Sequence, residues 1–287
     1  MSISGRAKLA GIVGWPVAHS LSPRLHGFWL SAHAIDGAYV PLAVEKQDFA
    51  RVIDALCRAG FVGVNVTVPH KEAAFALAHV VDDAAKTAGA VNLLLFRNDG
   101  TIEGRNTDTL GVAASLQESL GKGALTGKSG IVLGTGGAAR AAVLALSSLG
   151  ASTIAVIGRN PTRGTNLVRE MAASTGANLS AYAWSDWKTP AAKANIVINA
   201  TSAGMSGSAA PDVDLDALPV ASVVCDLVYN PLETELLARA QAGGRRAVDG
   251  LGMLMHQAMP SFEAFYGERP QVTQALRAEL KKALRHG

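Results

Sequence analysis

Short, nearly continuous apolar runs alternate along the chain with longer segments in which apolar residues recur every three or four positions. The runs are typical of buried strands, and the periodic segments are typical of amphipathic helices. The first half predicts strands at 10–13, 38–44 and 63–68, helices at about 24–33, 48–58 and from Lys71, and a hairpin of 90–96 with 101–103. Pro23 suits the first turn of the first helix, and Ser22 is placed to cap it.

After a predicted helix at 109–120 the pattern restarts and becomes strictly alternating. It predicts a strand at 129–133, a glycine turn at 134–137, a helix at 138–149, a strand at 153–157, a helix at 162–174, and strands at 196–199 and 223–227. Helices follow at about 253–265 and 272–284. This is the pattern of a doubly wound nucleotide-binding domain. We therefore predict an α/β protein with two domains and a cleft between them: an open α/β substrate domain at 1–107, completed by 250–287, and a Rossmann-type domain at 108–249.

Length and composition support two domains and limit the partners. The chain has 287 residues, 49% of them hydrophobic and 17% charged, with a net charge of +3. That charge is too small to indicate binding to nucleic acid or to a membrane surface. Cys57 and Cys225 lie far apart in the sequence and form no CxxC pair. We therefore expect both to be free thiols in a reducing compartment. Because the sequence has neither a membrane-length apolar run nor a signal-peptide core, we expect a cytoplasmic enzyme that acts on a small molecule, as a monomer or homodimer.

The glycine turn carries the first chemical signal. Its residues, which lie between an apolar strand and an Ala-rich helix, are Gly134, Thr135, Gly136, Gly137 and Ala138. Glycines allow a diphosphate to approach the backbone, and the helix N-terminus offers free N–H groups to it. An ordinary tight turn is the alternative, and the flanking strand and helix argue against it.

The end of the next strand indicates which dinucleotide binds. NAD-binding folds place an acidic residue about 20 positions beyond the glycines, where it binds the ribose 2′-hydroxyl. Here that place has Gly158 and Arg159, with Arg163 one helical turn later. Guanidinium groups pair with a 2′-phosphate, so the sequence favours NADP as the cofactor. The alternative is that both arginines are solvated surface residues.

Polar residues also follow the strands of the first half, where side chains line the crevice of an open α/β sheet. Asn92 interrupts an apolar run, and Lys71 and Asp108 each follow a strand. A fixed ammonium group can polarise a carbonyl and donate a proton to it, and a carboxylate can hold that ammonium in place. Lys71 and Asp108 are therefore a possible catalytic pair, although either residue alone is more often a surface charge.

The chain resembles the shikimate dehydrogenase family over nearly its whole length. Eight segments carry the resemblance in family order: GWPVAHSLSP at 14–23, NVTVPHK at 65–71, GAVN at 89–92, GRNTD at 104–108, GTGGA at 134–138, NATSAG at 199–204, DLVYNP at 226–231 and GLGMLMHQ at 250–257. Some positions depart from the common family pattern, namely Trp15, Gly27, Leu93 and Gly158.

The resemblance implies a role for each matching residue. Lys71 would be the catalytic lysine with Asp108 as its partner. The substrate carboxylate would bind Ser20, Ser22 and Tyr229, and the ring hydroxyls would bind Thr67, Asn92, Asp108 and Gln257. The diphosphate would bind 134–138, the 2′-phosphate would bind Arg159 and Arg163, and the nicotinamide end would lie near Thr201, Leu227, Gly250 and Met253. The implied reaction is the reversible NADPH-dependent reduction of 3-dehydroshikimate to shikimate.

Other functions remain open at this stage. The nearest is a paralogue that acts on quinate or on an aminated analogue, although serine at both 20 and 22 favours shikimate over quinate. A methylene-tetrahydrofolate dehydrogenase would need an aromatic platform near Lys71, and an NADP-sensing module would leave the polar residues of the first domain without a role. His26 and His33 would share a helix face, but without a third ligand nearby we expect no metal site.

Overall fold

The structure is a computed structural model that describes residues 3–286. The chain divides into two compact units, Met1–Asp108 with Met255–Gly287, and Thr109–Leu254. The strands are β1 (Lys8–Gly14), β2 (Gly37–Ala43), β3 (Phe61–Val66), β4 (Val80–Val81), β5 (Leu93–Phe96), β6 (Ile102–Arg105), β7 (Ser129–Leu133), β8 (Thr153–Gly158), β9 (Asn178–Ala183), β10 (Ile196–Asn199), β11 (Val223–Asp226) and β12 (Arg246–Val248). The α-helices are α1 (Ser22–Ala32), α2 (Phe49–Arg58), α3 (Lys71–Leu77), α4 (Asp83–Ala88), α5 (Asp108–Leu120), α6 (Gly137–Ser148), α7 (Pro161–Met171), α8 (Lys188–Ala191), α9 (Glu235–Ala242), α10 (Leu251–Tyr266) and α11 (Gln274–His286).

The first unit contains a mixed sheet in the order β2-β1-β3-β5-β6-β4. β1 pairs in parallel with β2 and β3, whereas β5 runs antiparallel to both β3 and β6. The predicted hairpin is therefore confirmed as β5 and β6. Because β1 and β3 are parallel neighbours, the segments that follow them leave from the same edge of the sheet.

The second unit contains a fully parallel sheet in the order β12-β11-β10-β7-β8-β9. This order confirms the predicted doubly wound fold. Successive residues of β7 pack on opposite faces, with Ile131 and Leu133 in one apolar cluster and Val132 in the other. Burial on both faces explains why these strands appear in the sequence as continuous apolar runs.

The predicted strands and helices are confirmed within a few residues at their ends, and several short elements were not predicted. Those are β4, α4, β9, α8, α9 and β12, most of which are too short for a clear periodicity. The predicted Ser22 cap is wrong, because α1 already includes Ser22 and its N-cap residue is Leu21, without a side-chain hydrogen bond. No helix among the described residues has the length and apolar character needed to cross a membrane.

Candidate functional site

A lysine–aspartate pair lies at the centre of the first unit's polar residues. Lys71 begins α3 and Asp108 begins α5, and Lys71 Nζ lies 2.5 Å from Asp108 Oδ2. The side chains are 21% and 5% exposed. The ammonium group is therefore reachable from solvent, while a nearly buried carboxylate fixes its position. The two residues are 37 positions apart in sequence, and the structure brings them together as an ion pair.

Amide and hydroxyl groups extend this pair into a polar cluster. Asn92 Nδ2 donates to Asp108 Oδ1 at 2.8 Å and to Thr107 Oγ1 at 2.9 Å, and Asn92 Oδ1 accepts from the Thr107 N–H. Gln257 Oε1 lies 3.3 Å from Thr107 Oγ1 and 3.4 Å from Asn92 Nδ2. Four of the predicted residues (Lys71, Asn92, Asp108 and Gln257) thus meet in one network that contains a cation, an anion and two amides. Such a network suits a small ligand with several hydroxyl groups.

The predicted serine and threonine residues lie in the segments that follow β1 and β3. Ser20 Oγ accepts from the Ser22 N–H at 3.3 Å in the connection from β1 to α1. Thr67 follows β3, and its N–H donates to the carbonyl oxygen of Val13 on the neighbouring strand. A Cβ atom on Gly14 would lie 2.4 Å from Thr67 Cγ2, so only glycine lets Thr67 approach this closely.

Asn65 is a positioning residue of the NVTVPHK segment, for which the sequence predicted no role. Its side chain is buried; Nδ2 donates to the carbonyl oxygen of Asn92 at 3.0 Å and to Ser261 Oγ at 2.8 Å, and Oδ1 accepts from the Tyr39 hydroxyl at 2.8 Å. Tyr39 in turn stacks on His26, with ring centroids 3.9 Å apart. Asn65 therefore ties β2, β5 and α10 together behind the polar cluster. The sequence feature that could have identified Asn65 is its position as a polar residue inside an otherwise apolar strand.

The glycine turn of the second unit connects β7 to α6. Gly134 has a φ of +118°, and a Cβ atom there would meet the carbonyl oxygen of Ala200 at 3.0 Å. Gly136 is the N-cap residue of α6, and no heavy atom lies within 4 Å of the position that a Cβ atom would take there. The first N–H groups of a helix have no intrahelical acceptor, so the start of α6 can bind an anion.

The two arginines flank the start of α7. Arg159 directly follows β8, and Arg163 lies in the first turn of α7, where its N–H donates to Asn160 Oδ1 at 3.2 Å. Both arginine side chains are exposed. Asn160 was not singled out in the sequence, although Asn before Pro161 is a recognisable capping signal. Its cap fixes the turn that carries both guanidinium groups.

The residues predicted for the nicotinamide end also lie at the carboxyl edge of the parallel sheet. A Cβ atom on Gly250 would lie 2.4 Å from the carbonyl oxygen of Leu227, and one on Gly134 would lie 3.2 Å from Thr201 Cγ2. Met253 packs against the apolar cluster of this unit. Tyr229, predicted to help bind the substrate carboxylate, belongs to this second unit, whereas Ser20 and Ser22 belong to the first.

Two family models match the chain. The model described as the shikimate dehydrogenase substrate binding domain matches residues 12–94, and the model described as shikimate / quinate 5-dehydrogenase matches residues 115–206. The first match spans most of the first unit's sheet, and the second spans the glycine turn and the arginines.

Named relatives and solved structures match over almost the full length. The shikimate dehydrogenase (NADP(+)) of Paramagnetospirillum magneticum is 50% identical over 276 residues, which is 96% of this chain and 99% of that protein. The crystal structure of shikimate 5-dehydrogenase from Thermus thermophilus in complex with NADP(H) and shikimate is similar, with a TM-score of 0.83, 33% identity, and coverage of 97% and 99% of the two chains. Quinate dehydrogenase from Corynebacterium glutamicum in complex with NAD has a TM-score of 0.86 at 29% identity, with 97% and 99% covered.

Proposed function

Because the chain belongs to the shikimate dehydrogenase family, we propose that it catalyses the reversible NADPH-dependent reduction of 3-dehydroshikimate to shikimate, in the chorismate pathway to the aromatic amino acids. The observation that carries the proposal is the Lys71–Asp108 ion pair together with its bond to Asn92. It supplies an ammonium group held at a fixed position beside groups that bind hydroxyls.

Each residue of the cluster has a distinct task in this reaction. Lys71 polarises the ring carbonyl and donates the proton that its oxygen receives, and it takes that proton back in the oxidative direction. Asp108 holds the ammonium group and, with Thr67, Asn92 and Gln257, binds the ring hydroxyls. Ser20 and Ser22 bind the carboxylate, a role that the family resemblance also implies for Tyr229. NADPH, when bound, supplies the hydride.

The second unit suits NADP better than NAD. Gly136 leaves room for a diphosphate at the N-terminus of α6, and the strand end at 158–159 has an arginine where an acidic residue would select NAD. Arg159 and Arg163 would pair with the 2′-phosphate. We expect Arg159→Ala to weaken binding of NADP far more than binding of NAD, as measured by calorimetry; an equal loss would contradict the assignment.

The direct test measures absorbance at the NADPH band with purified protein and NADP, in separate reactions with shikimate and with quinate. Rapid NADPH formation with shikimate supports the proposal. Faster turnover of quinate would instead identify a quinate dehydrogenase. Turnover with neither substrate, despite NADP binding, would indicate a cofactor-binding protein without this activity. We also propose that the protein is a monomer or a homodimer, and light scattering after gel filtration distinguishes these two states.

A single substitution tests the catalytic role of Lys71. Lys71→Ala should lower kcat by about a hundredfold or more, because proton transfer by a positioned side chain contributes factors of about 10² to 10⁴. NADP affinity should stay nearly unchanged. The matched control is Lys86→Ala, since Lys86 is a 59% exposed lysine of the same unit whose ammonium group pairs with Asp83 at the surface. Loss of binding without loss of kcat would contradict the role.

A further inference from the structure

A buried carboxylate lies at the carboxyl edge of the second unit's sheet. Asp226 is the last residue of β11 and is 0% exposed. Its Oδ1 accepts from Asn199 Nδ2 at 2.9 Å and from the Val228 N–H at 3.0 Å, and its Oδ2 accepts from the Thr234 hydroxyl at 2.7 Å. Burial raises the pKa of this carboxyl group. Burying a carboxylate costs free energy of desolvation, so a contribution to stability is a weak explanation for the presence of Asp226.

Asn199, at the end of the neighbouring strand β10, completes the arrangement. It is also 0% exposed, and its Oδ1 accepts both the N–H (3.1 Å) and the hydroxyl (2.7 Å) of Thr201. Its Nδ2 donates to Asp226 and, at 3.0 Å, to the carbonyl oxygen of Ala203. Every donor and acceptor of this amide is used, which leaves it a single orientation. Asp226 and Asn199 thus lock two strand ends to the loops that follow them.

Those loops carry the residues assigned to the nicotinamide half of the cofactor site. Thr201 is bound directly by Asn199, and Leu227 lies between Asp226 and Val228, both of which take part in the network. Gly250 packs on the Leu227 carbonyl oxygen so closely that a Cβ atom there would lie 2.4 Å from it. A shift of the Asp226 carboxylate would therefore move the Thr201 and Leu227 segments together.

The adenosine half depends on a different part of the sheet. Arg159 follows β8, and the strand order places β10 and β7 between β11 and β8. Three strand spacings of about 4.8 Å separate the ends of β11 and β8 by about 14 Å. A local change at Asp226 therefore acts directly on the Thr201 and Leu227 segments, and it reaches Arg159 at the end of β8 only across the two intervening strands.

We propose that Asp226 and Asn199 are positioning residues that hold Thr201 and Leu227 in place for the nicotinamide half of NADP. The inference rests on the proposed function only in that this unit binds NADP. It predicts that two ligands respond differently: NADP, which has both halves, and 2′,5′-ADP, which has the adenosine half with its 2′- and 5′-phosphates and no nicotinamide half.

The test compares Asp226→Leu and Asp226→Asn with the wild type by calorimetry and by steady-state kinetics with shikimate. For Asp226→Leu we expect the Kd of 2′,5′-ADP to stay within about twofold, the Kd of NADP to rise about tenfold, and kcat to fall, because the bound amide and hydroxyl groups lose their acceptor. Asp226→Asn keeps one acceptor oxygen for Asn199 and Val228, so it should recover part of the NADP affinity. Equal weakening of both ligands, or no change in NADP affinity, would overturn the proposal.

Two further variants keep the test decisive. Ser222→Ala is the matched control, because the buried Ser222 hydroxyl donates to the Ala194 carbonyl oxygen at the opposite end of β11; it should lower Tm and leave both Kd values unchanged. If Asp226→Leu does not fold, Thr234→Val removes one hydrogen bond of Asp226 and should produce the same selective loss of NADP affinity on a smaller scale. A wild type that binds NADP without oxidising shikimate would refute the proposed function and leave the affinity comparison valid.

Discussion

The contact between Gly158 and Thr135 gives a quantitative prediction about the cofactor site. A Cβ atom on Gly158 would lie 2.6 Å from Thr135 Cγ2, while its next neighbours, the Asn160 carbonyl oxygen and Thr135 Cβ, would lie at 3.7 and 3.9 Å. Carbon atoms in contact are normally about 3.5–4.0 Å apart, so the overlap is about 1 Å and involves one methyl group. Overpacking of this kind costs about 1–3 kcal/mol.

We expect Gly158→Ala to lower the free energy of unfolding by about 1–3 kcal/mol and to weaken NADP binding, because Thr135 belongs to the glycine turn that it would displace. Thr135→Ser removes Cγ2 and keeps the hydroxyl. The double variant should therefore recover most of the loss, with a coupling energy of about 1–3 kcal/mol in a double-mutant cycle. Urea denaturation and calorimetric titration with NADP measure the two quantities.

Gly164→Ala is the matched control for this cycle. Gly164 lies inside α7 in the same half of the unit, and a Cβ atom there would meet only Ala181 Cβ at an ordinary 3.6 Å. Alanine is favoured over glycine in a helix by about 1 kcal/mol, so this variant should be neutral or stabilising. If the double variant is as impaired as Gly158→Ala alone, or if Gly158→Ala has no effect, the steric argument is refuted.

Three further predictions concern separate sites. Gly136→Ala should leave stability unchanged and weaken NADP binding about tenfold, since its Cβ atom would enter space proposed for the diphosphate; unchanged affinity in a calorimetric titration would reject that placement. Asn65→Leu should lower the free energy of unfolding in urea by about 3 kcal/mol or more, because Tyr39, Asn92 and Ser261 each lose a buried partner; a loss below about 1 kcal/mol would contradict this. Burial lowers the pKa of His26 to about 3. Below pH 6.5 the unfolded chain therefore binds a proton at His26 that the folded chain does not bind. The free energy of unfolding should fall by up to about 4 kcal/mol as the pH is lowered from 6.5 to 3. Denaturation at several pH values should show a shallower slope for His26→Phe, and an identical slope would exclude His26 as the cause.

Local patterns in the sequence were sufficient for the main elements and for the cofactor type. The apolar runs predicted β7, β8 and β10 because strands buried on both faces need continuous apolar residues. The glycine turn was recognisable because its strand, turn and helix are consecutive. Arg159 was recognisable for a similar reason, because its position at the end of β8 follows from the number of residues between it and the glycine turn. Short elements such as β12 escaped detection because three residues carry too little periodicity.

Residues that act through distant partners needed the tertiary structure. Asn65 bonds to residues 26, 27 and 196 positions away, and Asp226 meets Asn199 only because β10 and β11 are neighbours in the sheet. Strand order follows from how all the apolar faces pack together, and no local pattern encodes it. The sequence by itself therefore determined the elements, the family resemblance and the types of chemical group available. Only the tertiary structure decided which buried polar groups satisfy one another, because a hydrogen bond depends on the distance between two atoms in space.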